Sequence, residues 1–401
     1  MTSPSSTQSL PRDGDVRWVA GGTVTVPTAE LDDLGPISLF LLRMFLLLAP
    51  IGMLKGFDTY DPLDGVQRFL FAAPAYAALV LAPRRAIVRI PVSLSLTLLL
   101  VWMGLSSLWS IDSAQTLYSL RQDLILAGGL VIAVGLLPVS ETYRWFLNGL
   151  KLLLLIQIFA VIVDPAARAS VEFGQVQDPW RGWMPSKNQL GRFGVLTLTS
   201  VLVLDKNLIS RIVWSSLALV LIIGSSSATS LGATFVVLLV IFWIRRYQRV
   251  GEAWGGVFIL ASVFMGLIMV ILAFASVALI VEALGRDLTF TGRTAVWEAA
   301  LPLVDDAPWL GYGYEALWTG STGTSVDLQR EIGYGVAHAH NGALDVTLSL
   351  GVIGLLLFFG LFMSTLVLSL RHLRTSDYAA WVFMFLILQL IFGAVEATYL
   401  G

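Results

Sequence analysis

Two histidines, His338 and His340, stand one residue apart in the string AHAHNGALD, immediately ahead of a long apolar run. Imidazole accepts and releases a proton near neutral pH, so the pair is a candidate general base. Asn341 is placed to cap the helix that follows. The partial positive charge of that helix N-terminus disfavours an imidazolium beside it, and a neutral ring is what a base needs. The competing role is a hydrogen bond to backbone or lipid headgroup at a membrane boundary. A lone histidine would suit that role well; the doublet points to chemistry.

The elements that must hold this pair are membrane helices. Of 401 residues 56% are hydrophobic and 13% charged, with mean hydropathy +0.80, against roughly a quarter charged in soluble domains. The expected fold class is an all-α polytopic integral membrane protein. The absence of cysteine excludes disulfides, thiol chemistry and Cys-ligated metal. Three histidines without an HExxH spacing give no expectation of a bound metal or other cofactor. The basic residues are scattered over many loops at a net charge of −2, which gives no nucleic-acid surface. Residues 1–37 are polar, rich in Ser, Thr, Gly and Pro, and lack the apolar core of a signal peptide, so a disordered cytoplasmic tail is expected there.

Apolar runs matched to the ~20 residues that cross a bilayer predict about eleven spans. They lie near 38–54, 67–82, 91–109, 123–139, 146–163, 188–204, 212–224, 231–244, 256–282, 341–369 and 378–399, and make up a membrane domain over 38–401. The short seventh and eighth, joined by GSSSATS, read as a helical hairpin or a broken helix. With the N-terminus inside, every cytoplasmic loop carries at least two basic residues: Arg84, Arg85 and Arg89; Arg144 and Lys151; Lys206 and Arg211; Arg245, Arg246 and Arg249; Arg371 and Arg374. Arg43, inside the first span, is expected to snorkel to the cytoplasmic face.

Two segments then lie outside, a loop over 164–187 and a large one over 283–340 between the ninth and tenth spans. Arg181, Lys187 and Arg192 cluster at the first, and Arg286 and Arg293 begin the second. Basic residues placed against the positive-inside bias call for another reason, and an anionic ligand supplies one. The plainer reasons are headgroup contact or ion pairs with Asp178 or Asp287. In the large loop, TFTGRTAVWEAALPLVDDAPWLGYGYEALW reads as a short amphipathic helix capped by Thr291, limited by Pro302 and Pro308, then a turn at Gly311 and Gly313 whose backbone can approach a neighbour closely. Trp180, Trp183, Trp297, Trp309, Trp318, Tyr312 and Tyr314 offer faces for sugar rings, though such residues also populate any membrane interface. Asn188 is expected to cap the sixth span. Arg121, Asp123 and Glu396 read as polar anchors, and Gln157 is too isolated to assign.

GRTAVWEAALPLVDDAPWLGYGYEALW followed by HAHNGALDVTLSLGVIGLLLF resembles the O-antigen ligase/polymerase family of bacterial envelope glycosyltransferases. WRGWMPSKNQLGRFGVL resembles an earlier motif of that family, most like its exopolysaccharide polymerase branch; together the similarity spans about residues 90–360. The resemblance implies a metal-independent, inverting transferase in the bacterial cytoplasmic membrane, with its active site on the outer face and an undecaprenyl-pyrophosphate-linked oligosaccharide as donor. By position, His340 matches the family histidine, with His338 second, and Arg293 matches the arginine of the GR start. Arg181, Lys187 and Arg192 fall in the earlier basic motif. Arg286 and Asn341 complete the expected pyrophosphate and glycan contacts. Two departures stand out: GSSSATS lacks the arginine many members carry there, and the chain ends at Gly401, where relatives often continue.

The expected reaction is polymerisation. A hydroxyl of another lipid-linked repeat unit, deprotonated by His340, attacks the anomeric carbon while arginines hold the leaving pyrophosphate. A chain-length regulator, a repeat-unit flippase and membrane lipids are the expected partners. An O-antigen ligase moving finished glycan to lipid A–core or a protein is the alternative within the enzyme class. A transporter or flippase is the alternative outside it, disfavoured because the spans hold little charge at mid-membrane and no repeat is evident.

Overall fold

The computed structural model describes the backbone of residues 17–19, 22–24, 34–52, 62–82, 93–168, 170–172, 175–177, 179–251, 254–257, 293–333, 335–336 and 338–394. Helices dominate: α1 (Pro36–Gly52), α2 (Pro62–Leu81), α3 (Leu94–Leu105, followed by a 3-10 turn Ser106–Leu108), α4 (Ser113–Leu136), α5 (Val139–Val163), α6 (Lys187–Leu204), α7 (Leu208–Gly224), α8 (Ala228–Tyr247), α9 (Arg293–Asp306), α10 (Gly323–Ile332), α11 (Gly342–His372) and α12 (Asp377–Gly393). Among the described residues α4, α5, α8 and α11 are long and apolar enough to cross a membrane, and the chain is a membrane protein. Shorter apolar helices occupy the first, second, third, seventh and eleventh expected spans. The expected span 256–282 falls, apart from its first two residues, outside the described residues.

Strands were not expected, yet two three-residue hairpins occur. Arg17–Val19 pairs with Gly22–Val24 inside the N-terminal segment expected to be disordered, and Ser170–Glu172 pairs with Gln175–Gln177 in the 164–187 loop. Val19, Thr23 and Val24 of the first pair are β-branched, which suits a strand.

The chain divides into two compact units, Met1–Leu98 with Tyr118–Leu231, and Leu99–Leu117 with Gly232–Gly401. In the first, α1 packs on α2 and α5, and α6 on α5 and α7. Its core joins Leu42, Phe45 and Leu46 to an alanine stripe, Ala72, Ala75 and Ala78, and to Ala133 and Leu136. Lipid is as apolar as leucine, so small residues that let helices close up do much of the holding. Gly149 shows this, since an added Cβ would lie 2.8 Å from the Leu46 carbonyl oxygen and 2.6 Å from that of Leu47.

Polar side chains in this unit pair rather than reach for a surface. Arg43, expected to snorkel, forms an ion pair at 3.2 Å with Glu141, which also accepts from the Trp145 indole at 3.2 Å. Arg68 pairs with Asp123 at 3.4 Å. Lys151 lies on α5, not in a loop, and reaches Asp205 at 2.6 Å, with the Ser210 hydroxyl donating to the same carboxylate oxygen at 2.6 Å. Burial pushes the Asp205 carboxyl up, but the hydrogen bonds from Lys151, Ser210 and the Asn207 N–H outweigh it and hold the group below the usual carboxylate range. The second unit packs α11 on α12 and α9 on α10 and α11.

Replacing Lys151 by Ala leaves Asp205 without its cation in a mostly buried site and is expected to destabilise the protein by about 3 kcal/mol, read as unfolding of the detergent-solubilised chain. Because the folded pKa of Asp205 is depressed, the pair's contribution is present above the unfolded carboxylate value and is lost as pH falls through the folded one. The gap between wild type and variant therefore closes in acid.

Candidate functional site

The histidine motif lies in the second unit at the head of α11. Asn341 is the N-cap, its side-chain oxygen accepting from the Leu344 N–H at 3.1 Å. Four residues on, Asp345 accepts from the Ala339 N–H at 2.9 Å, and the Trp297 indole of α9 donates to the Ala339 carbonyl at 2.8 Å. Ala339 is thus tied on both sides and buried, with a half-buried histidine on either flank. The imidazole rings meet edge to face, centroids 4.2 Å apart. The His340 N–H donates to His338 Nδ1 at 3.2 Å. That bond uses Nδ1 of His338 as acceptor, so a neutral His338 carries its proton on Nε2. His340 sits at φ +51°, a left-handed conformation uncommon for a non-glycine residue.

Below the histidines, α11 is broken. Gly351 has φ +68° and ψ −175° inside the helix, so the carbonyls before it and the N–H groups after it lose helical partners. A loop fills the break. The Tyr312 N–H donates to the Leu348 carbonyl at 2.8 Å and the Gly313 N–H to that of Ser349 at 3.0 Å; the Trp102 indole donates to that of Leu350 at 3.0 Å. In return Val352 donates to the Pro308 carbonyl at 2.8 Å and Ile353 to that of Trp309 at 3.5 Å.

The fit requires three glycines at positive φ. A Cβ on Gly311 would sit 2.7 Å from the Leu348 carbonyl oxygen, one on Gly351 would strike the Trp309 carbonyl, and one on Gly313 would strike Ser110. Gly311 and Gly313 thus make the close backbone approach that their spacing suggests. Their partner is the break in α11 at Gly351.

The same loop is gripped from α3 and the turn after it. The Trp109 indole donates to the Leu310 carbonyl at 3.0 Å, Ile111 to that of Tyr312 at 3.0 Å, and the Tyr314 N–H to the Ser106 hydroxyl at 3.1 Å. Thr116 donates to the Tyr314 carbonyl at 2.9 Å. Burial, with the Asp306 charge adding to it, pushes the Tyr312 phenol up, which keeps it protonated and donating to the Leu303 carbonyl at 3.1 Å. A second helix, α10, was not expected. Thr322 ahead of it and Gly333 in a left-handed C-cap mark its ends, and Leu328 and Ile332 bury against Val296 and Ala300 of α9. Pro302, expected to limit α9, lies inside it, and the helix runs on to Asp306.

The other expected residues divide. Arg293 is the first residue of α9, at the start of the described stretch; its side chain, and Arg286 and Thr291 entirely, lie outside the described residues. Arg181, Lys187 and Arg192 belong to the first unit. Arg181 directs its guanidinium to the Ala166 carbonyl at 3.2 Å and that of Met184 at 3.3 Å, so part of its donor set closes its own loop. Gln157, unassigned from sequence, anchors that loop by accepting from the Trp183 N–H at 2.9 Å. Lys187 opens α6, whose cap is Ser186 rather than Asn188: its side chain accepts from the Gln189 N–H at 3.3 Å. GSSSATS connects α7 to the first turn of α8, with Ser225 and Ser230 buried against Gly191. Among the described residues no group of three His, Asp or Glu could hold a metal ion.

The helix break, the Gly-Tyr-Gly loop and the capped histidine motif fall within one family-level match. Residues 213–359 match the family model described as O-Antigen ligase. It is also similar to the exopolysaccharide production protein ExoQ of Rhizobium meliloti (strain 1021), at 30% identity over 208 residues. That similarity covers 49% of this chain and 48% of the relative, so the match spans about half of that protein. The family match takes in Arg286, Arg293, His338, His340 and Asn341, and stops short of Arg181, Lys187 and Arg192.

The geometry makes Asn341 a helix cap, and Asn341→Ala should lower stability by about 1 kcal/mol while Asn341→Ser stays within a few tenths. Thermal unfolding of the solubilised protein reads this directly. Equal stability of the alanine variant would remove the capping role.

Proposed function

We propose that this protein is a membrane glycosyltransferase that polymerises an envelope or exopolysaccharide. Its donor is an undecaprenyl-pyrophosphate-linked glycan and its acceptor a sugar hydroxyl of another lipid-linked repeat unit. The observation that carries the reading is the paired His338 and His340, fixed at the head of α11 by bonds to Ala339 on both its faces. The O-antigen ligase match over the same residues and the similarity to an exopolysaccharide production protein support it.

In the proposed step, His340 takes the proton of the acceptor hydroxyl as its oxygen bonds to the anomeric carbon. The bond from that carbon to the pyrophosphate oxygen breaks, and the pyrophosphate leaves with the electron pair. Attack opposite the leaving group inverts the anomeric configuration. His338, with a proton on Nε2, donates a hydrogen bond to acceptor or leaving group. Arg293 binds the pyrophosphate, because the planar guanidinium fork matches phosphate oxygens and stabilises charge growing there. Arg286 extends that contact. Arg181, Lys187 and Arg192 are assigned to phosphate recognition within their own unit. The assignment carries with it about eleven spans, an inside N-terminus and outer loops over 164–187 and 283–340 in the bacterial cytoplasmic membrane. A repeat-unit flippase and a chain-length regulator are its partners.

The ligase reading is favoured by one observation, the description of the matching family model itself. A strain lacking the gene separates the two: loss of long polymer supports the polymerase, and unattached polymer supports the ligase.

In proteoliposomes supplied with lipid-linked repeat units extracted from that strain, His340→Ala should reduce transfer by about 10²–10⁴-fold. Full polymer yield from the correctly inserted variant would remove His340 from the mechanism. Arg293→Lys should fail almost as badly as Arg293→Ala, since lysine supplies charge without the fork; restored transfer by the lysine variant would argue for simple charge attraction.

A further inference from the structure

Trp102 in α3, Ser106 at the start of the 3-10 turn and Trp109 just after it stand at positions i, i+4 and i+7. None of them belongs to the histidine motif. All three hydrogen bond to the interlock beneath it: Trp102 to Leu350 of α11, Trp109 to Leu310 of the loop, Ser106 to Tyr314. The two indole rings also lean on each other, centroids 5.2 Å apart. Trp102 therefore holds the helix side of the break, and Trp109 the loop side.

The consequence follows from the length of the element. Gly342–Leu350, the part of α11 above the break, is nine residues, or about 13 Å at 1.5 Å per residue. At its head stand His340 and the Asn341 cap. At its foot the Leu350 carbonyl is held by one side-chain donor, the Trp102 N–H. Turning the segment about its foot moves the histidines at its head.

We propose that Trp102 is a positioning residue of the transfer reaction, acting through Leu350 and the upper segment of α11 on the His338–His340 pair. The proposal rests on the histidine reading given above. Trp102 touches neither substrate nor the reacting atoms; it sets the angle at which the imidazoles meet them. Misplacement of a reacting group by about an ångström is enough to cost 10²-fold in rate. The loss should appear in kcat and spare KM, because binding of the glycan and pyrophosphate does not pass through the indole.

The test replaces the N–H alone. The full chain in proteoliposomes, carrying 3-benzothienylalanine at position 102, keeps the ring shape and loses the donor; 5-fluorotryptophan at the same position keeps both. Kinetics use undecaprenyl-pyrophosphate oligosaccharide extracted from membranes lacking this protein, with each rate normalised to folded protein. The expected result is a fall in kcat of about tenfold or more for the sulfur analogue, with KM within twofold, and full activity for the fluorinated one. Adding Trp102→Phe to His340→Ala should cost nothing further, because the indole acts through a residue already removed. Unchanged kcat in the sulfur analogue, alongside an inactive His340→Ala, overturns the proposal and leaves the histidine reading standing. An active His340→Ala overturns the histidine reading and, with it, the target assigned to Trp102. A KM rise with kcat unchanged also overturns the proposal, since it would place Trp102 in binding.

Discussion

A helix interrupted within an apolar span must find partners for its stranded backbone groups. Unsatisfied N–H and C=O groups in a bilayer each cost several kcal/mol. The break at Gly351 strands the carbonyls of Leu348, Ser349 and Leu350 and the N–H groups of Val352 and Ile353. Each is met by the loop over 308–313 or by the Trp102 indole. Irregular backbone within an apolar span needs protein partners for its polar groups, and here the loop and the break supply them to each other. The rest of the second unit is built around that exchange. α3 supplies the outer donors, α9 and α10 cover the loop's flank, and the histidine motif caps the short segment that the exchange holds in place.

This arrangement links fold to chemistry through few intermediates. Trp297 and Asp345 fix Ala339 from opposite sides, and the histidines on either side of it have their backbones fixed as a result. His340 then adopts a left-handed backbone conformation, which costs of order 1 kcal/mol or more and persists only where its surroundings over-determine it. The strain lies at the residue assigned the proton transfer. The first unit uses a different logic: small residues bring α1, α2 and α5 together, and ion pairs such as Arg43–Glu141 and Lys151–Asp205 neutralise charge inside the packed helices.

Much of this was legible in the sequence. Apolar runs located the long described helices, because a span needs a fixed length of apolar chain, although α4 and α5 start ten and seven residues ahead of the expected spans. α9 was legible from its amphipathic pattern, and α10 was not. The cap at Asn341 and the turn glycines Gly311 and Gly313 could be read because side-chain oxygen and missing Cβ have local consequences. What local pattern could not reveal were the partners. Nothing around Gly351 marks it as a break, since LSLGVIGLL reads as continuous apolar helix; the cause of the break is some forty residues upstream. Arg43 read as a snorkelling residue and Gln157 as an isolated one for the same reason, as Glu141 and Trp183 are distant in sequence. The one overlooked local clue was the i, i+4, i+7 spacing of Trp102, Ser106 and Trp109, three hydrogen-bonding groups in and just after α3.

Amide hydrogen exchange at Tyr312 and Gly313, measured on the full chain in nanodiscs, tests the interlock most directly. Both N–H groups sit in a connecting loop, and both are predicted to exchange as slowly as the amides in the middle of α11, because they complete its hydrogen bonding. Exchange at the rate of an exposed loop would show that the break is not filled, and the path from α3 to the histidines would fail with it.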